Sequence, residues 1–108
     1  MRNRTTRVCF PVFRNYVVRV ILARDIERTG RRLHSDLSNA AAAFVTQDDK
    51  PGRGWLVLGP GADEALVAHE ASHAIRAMFA SRGVRNDDET FAYHLDFLVG
   101  RIHRFLKR

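Results

Sequence analysis

His69 and His73 stand four residues apart with Glu70 directly after the first, in the stretch His69-Glu70-Ala71-Ser72-His73. On an α-helix, residues four apart share a face one turn from each other, so both imidazoles can reach the same point. Two neutral imidazoles suit Zn²⁺, which then needs a third protein ligand and an open position for water. Glu70 is placed to take that water's proton, and the chemistry expected is metal-activated attack of water on a carbonyl. The flanking Leu66, Val67, Ala68, Ala74, Ile75, Ala77, Met78 and Phe79 make this helix apolar almost all round, which predicts its burial. Three ionisable groups on a buried helix need partners, and a metal satisfies all of them.

A third ligand has to come from elsewhere in the chain. Phe91, Leu95, Leu98, Ile102 and Phe105 recur at helical spacing and predict an amphipathic helix over about 87–106. Glu89 falls in its first turn, sixteen residues past His73, where a short loop can bring the chain back beside the histidine pair. The ligand chemistry of zinc sites favours Glu89, with Asp88, His94 and Asp96 as the other candidates. The competing reading needs no metal: Asn86 as N-cap with Glu89 at the third helical position is a capping box. His94 lies about 140° round the helix from Glu89, so the two do not easily serve one ion.

The elements that must position these groups are short. Tyr16 to Ala23, with Val17, Val18, Val20, Ile21 and Leu22, predicts a buried strand. Asp25 can cap a helical turn carrying Ile26 and Leu33, which Gly30 weakens. The segments 40–47 and 54–59, joined by Gln47-Asp48-Asp49-Lys50-Pro51-Gly52-Arg53, read as a hairpin. Gly59-Pro60-Gly61 breaks the chain ahead of the motif helix, expected over 63–81. Asp63 and Glu64 favour that helix's N-terminal end, and Gly83 can close its C-terminal end in a left-handed conformation. The expected fold class is α+β, a single domain over residues 1–108: a three-stranded sheet (16–23, 40–47, 54–59) packed against two helices.

Composition narrows the function classes. One cysteine in 108 residues excludes an internal disulfide and suits a reducing, cytoplasmic compartment. No apolar run is long enough to span a membrane, and Pro11 and Arg14 interrupt the only stretch resembling a signal sequence. Cys9, beside a Phe-Pro turn, is expected to be a small buried apolar residue. Charge is uneven: residues 1–32 carry nine Arg against Asp25 and Glu27, residues 33–98 are net acidic, and the last ten carry Arg101, Arg104, Lys107 and Arg108. Basic ends can contact phosphate backbones, although sixteen Arg among eighteen basic residues also reads as a compositional habit with solvated side chains. His34 and His103 read as surface residues in basic stretches.

The order of strand, hairpin, His69-Glu70-Ala71-Ser72-His73 helix, then Asp88-Glu89-Thr90-Phe91-Ala92-Tyr93 opening a final helix, resembles gluzincin-type zinc metallopeptidases in minimal form. It is similar in particular to short HExxH proteins of phages and prophages, over about residues 16–106. The resemblance implies a zincin-like domain with His69, His73 and Glu89 as zinc ligands and Glu70 as general base. It also implies that the Trp55–Leu58 strand is an edge along which an extended peptide or protein substrate pairs. Tyr93, one turn after Glu89, is the candidate hydrogen-bond donor to the oxyanion, with a Tyr packed at the helix interface as the alternative. Ser72 points away from the metal side, and no nucleophile elbow supports a serine hydrolase. Two functions follow as expectations: a zinc-dependent peptidase, or a non-catalytic module whose basic ends contact nucleic acid or protein and whose metal is structural or absent.

Overall fold

Val18 and Val20 of one strand point to one side of the sheet and Arg19 and Ile21 to the other, and this alternation divides the molecule into layers. The computed structural model describes residues 3–85 and 87–108. Its elements in chain order are β1 (Arg4–Cys9), β2 (Val17–Leu22), α1 (Ile26–Arg32), β3 (Ala42–Thr46), β4 (Arg53–Leu58), α2 (Glu64–Ser81) and α3 (Asp88–Leu106). The four strands form one mixed sheet in the order β1-β2-β4-β3. β1 runs antiparallel to β2, β2 parallel to β4, and β3 antiparallel to β4. The parallel pair is possible because α1 and β3 intervene between β2 and β4 and carry the chain back.

One face of the sheet, with Val8, Val18, Val20, Leu56 and Leu58, packs against α2 and α3 through Val67, Ala71, Ile75, Met78, Leu98, Ile102 and Phe105. The other face, with Ile21, Trp55, Val57 and Val45, is partly covered by Ile26 of α1, by Leu33 at its C-terminal cap and by Leu37. Burial on both faces explains why β4 reads as a continuous apolar run rather than an alternating one.

The expected α+β class and the hairpin hold, and three details are corrected. The sheet has four strands, because Arg4–Cys9 pairs with β2 along its whole length. Of its residues only Val8 is buried, so Arg4, Thr5, Thr6 and Arg7 leave no apolar period to detect. β4 is not an edge, since β2 and β3 flank it; the edges are β1 and β3. Cys9, expected to be buried, is exposed because it shares the parity of Arg7 rather than of Val8.

Local chemistry sets the helix ends. The Asp25 carboxylate accepts from Arg28 N–H, and Asp63 does the same for Leu66 N–H at 2.9 Å. α2 closes with Gly83 at φ 64°, Gly83 N–H donating to Ala80 C=O and Val84 N–H to Phe79 C=O. That is the two-bond Schellman arrangement, and it turns the chain toward α3. α3 is capped by Asp87, whose carboxylate accepts from both the backbone N–H and the hydroxyl of Thr90. Asn86, the cap expected from the sequence, lies outside the described residues.

Candidate metal centre

α2 buries Val67, Glu70, Ala71, Ala74, Ile75, Met78 and Phe79 against the sheet and α3. His69 and His73 lie on its opposite, exposed side. The expected all-round burial of this helix is therefore corrected. Ala65, Ala68 and Ala80 face solvent; alanine there supplies helix propensity and exposes little apolar area, so the run looked more buried than it is.

On that outer side the two imidazoles converge, with His69 Nε2 and His73 Nε2 3.2 Å apart and the rings nearly perpendicular at 82°. The separation is informative. With Zn–N bonds of about 2.05 Å and a tetrahedral angle, two zinc-bound nitrogens stand about 3.3 Å apart. The two imidazoles therefore stand at the spacing of two ligands on one tetrahedral ion. Glu70, 8% exposed, sits at the margin between the buried and histidine-bearing faces. One ligand atom from each of His69, Glu70 and His73 lies within 4.8 Å of the others, and among the described residues these three form the metal-competent cluster. The Ser72 hydroxyl makes a local bond, donating to His69 C=O at 2.7 Å.

Glu89 is not in this cluster. Phe91 packs on Phe79, ring centroids 6.3 Å apart, and the Arg76 guanidinium sits over the Phe91 ring. These contacts set the first turn of α3 beside the last two turns of α2. His73 and His69 lie six and ten residues before Phe79, about 9 and 15 Å back along the helix axis at 1.5 Å per residue. Glu89 and Asp88 are exposed in that distant first turn, Glu89 one turn before Tyr93. Tyr93 is 56% exposed and rests edge-on against His94, so it is not packed at a helix interface. Asp96, also exposed, is closer in level to His73 but outside the cluster.

His94 belongs to the core. It is 3% exposed and packs among Phe10, Phe13 and Phe79. Its Nδ1 lies 2.8 Å from Thr90 C=O. A carbonyl only accepts, so Nδ1 carries the proton and donates. Nε2 is then buried without a partner in an aromatic cage. His34 is a surface residue, as its neighbours suggested, and His103 is half-buried.

The feature the sequence did not expose is the free edge. Among the described residues β3, not β4, carries unpaired backbone groups along its outer side, and β3 packs directly against α2. Only the strand order reveals this. No family model, no curated protein and no solved structure matches the chain, so the functional reading rests on this geometry.

Proposed function

We propose that this chain is a zinc-dependent peptidase built on a minimal zincin-like domain, with His69 and His73 as two of the metal's ligands and Glu70 as general base; the third protein ligand that zinc needs lies outside the cluster of described residues. The observation that carries the reading is the Nε2–Nε2 separation of 3.2 Å with the Glu70 carboxylate beside it. Zinc held there supplies a Lewis acid that activates water near neutral pH and polarises a carbonyl oxygen. His69 and His73 each offer Nε2 as a neutral donor. Glu70 accepts a proton from the attacking water and returns it to the leaving amine, with its backbone held rigid by the buried side of α2. The β3 edge offers main-chain hydrogen bonds to an extended peptide, a recognition mode that needs no deep pocket.

The test is a pair of measurements on one protein. Purified wild type should carry close to one zinc per chain and hydrolyse members of a broad peptide library in a chelator-sensitive way. Glu70→Gln should keep the zinc and lose hydrolysis by about 10²-fold or more, because the amide cannot take a proton. Cleavage by Glu70→Gln at the wild-type rate, or no chelator-sensitive cleavage by wild type, would overturn the reading.

A further inference from the structure

The sheet face turned away from the histidine pair carries a second site. A cavity of about 630 Å³ opens between this face and α1, walled by Arg19, Arg24, Arg28 and Arg32 over a floor of Ile21 and Trp55. A smaller hollow continues from it past Arg19 and Trp55 to Arg7 and Arg53. Six guanidinium groups thus follow one course across strands β1, β2 and β4, through the β2–α1 connection and along α1. In the register Arg7 stands directly opposite Arg19, and Arg19 opposite Trp55. Like charges directly opposite each other destabilise a sheet, so this row favours an anion above it.

Several arginines elsewhere in the chain are already engaged, whereas those of this face are not, and it is their gathering on one surface that sets them apart. Arg4 donates to Phe105 C=O, Arg31 pairs with Glu27, and Arg76, Arg82 and Arg101 lie over aromatic rings. Among the described residues the guanidinium groups of Arg7, Arg19, Arg24, Arg28, Arg32 and Arg53 make no hydrogen bond, ion pair or aromatic contact of this kind. The one carboxylate in the cavity wall, Asp25, is engaged as the α1 cap. Lys50, over the Trp55 ring, adds another cation nearby.

We propose that this face binds the phosphate backbone of single-stranded nucleic acid. A mononucleotide presents its few charges at one point, whereas the arginines are spread along two joined hollows and suit successive phosphates. A duplex is a stiff, wide cylinder, and a cavity recessed between a short helix and a sheet admits a flexible single strand more readily. Guanidinium planes can also stack on unpaired bases. Trp55 is 8% exposed, so it forms the floor and is not a stacking platform, and the binding is expected to be indifferent to sequence. The site lies across the sheet from His69 and His73 and does not depend on metal.

Fluorescence anisotropy with a labelled oligothymidylate of about 20 nucleotides tests this, with a duplex of the same length and ATP as comparison ligands. The single strand should bind most tightly, with or without a chelator, and log K should fall with log salt by about 0.7 per phosphate contact. Arg19→Glu with Arg28→Glu should weaken binding by about tenfold or more and flatten the salt dependence. The same change at Arg101 and Arg104, on the far end of α3, should leave affinity within about threefold. Circular dichroism confirms that each variant is folded, and Arg19→Ala alone provides a milder variant if the double reversal is not. Absence of oligonucleotide binding overturns the proposal. So do tighter binding of the duplex or of ATP, and equal sensitivity to the Arg101 and Arg104 reversals.

Discussion

Removing one imidazole from α2 separates loss of metal from loss of fold, because both histidines are exposed. His69→Ala and His73→Ala each delete one of two nitrogens 3.2 Å apart. Without metal the cost is small: an exposed imidazole–imidazole contact is lost, about 0.5 kcal/mol or less, and alanine returns a similar amount as the better helix former. The apo melting temperature of either variant should therefore stay within about 2 °C of wild type. Zinc changes the comparison. A ligand that binds only the folded state at about a hundredfold above its Kd adds about 2.7 kcal/mol. At about 4 °C per kcal/mol for a domain of this size, the wild-type melting temperature should rise by about 10 °C. A single remaining imidazole loses this shift. Differential scanning fluorimetry of the three proteins, chelated and then titrated with zinc, reads both quantities. A full shift retained by His69→Ala or His73→Ala, or no shift in wild type at saturating zinc, would refute the assignment of the pair as a metal centre.

The remaining predictions concern the residues around that centre and the frame. Glu89→Ala should leave zinc affinity within about threefold, since the contacts of Phe91 hold Glu89 far along the axis from the pair; a tenfold loss by competition titration would mean that metal draws the first turn of α3 back along α2. His94→Ala should keep its zinc yet lose about 2–4 kcal/mol in urea unfolding, because it empties a space between Phe10, Phe13 and Phe79. Gly30→Ala should be destabilising although alanine gains about 1 kcal/mol in a helix, because its Cβ would stand 2.6 Å from Leu37 Cγ and 2.9 Å from Ser35 C=O, and overpacking costs about 1–3 kcal/mol. Stability should also fall at both pH extremes. Burial raises the Tyr16 hydroxyl above its usual 10.0, with the nearby Arg82 charge opposing, so the unfolded chain ionises first and stability declines as pH rises above about 10. The bonds from Thr90 hold the Asp87 carboxyl below its usual 3.8, so its contribution is complete above that value and is lost as pH falls through the lowered one. Denaturant midpoints across pH, compared with Tyr16→Phe and Asp87→Asn, check the two directions.

The histidine pair, its helix and both helix ends were legible in the amino-acid sequence because they are local. A four-residue spacing fixes a shared helical face, Asp63 reaches an N–H only three residues on, and Gly83 takes its left-handed turn wherever the helix stops. β2, the hairpin and α3 were legible for the same reason, the strands as short apolar runs rich in β-branched and aromatic residues and α3 as an apolar set at helical spacing. Which side of α2 faces solvent was not legible, because alanines stand on both faces and count as apolar on either, and only packing against the sheet separates Ala71 and Ala74 from Ala65, Ala68 and Ala80. β1 was hidden because an edge strand with one buried residue has no period, and its pairing with β2 is made by backbone groups that every sequence carries. The distance between Glu89 and the histidines, the free edge at β3, and the gathering of Arg7, Arg19 and Arg53 on one face were decided by strand order and helix register. Those depend on how separate segments meet, and no residue spacing along the chain encodes them.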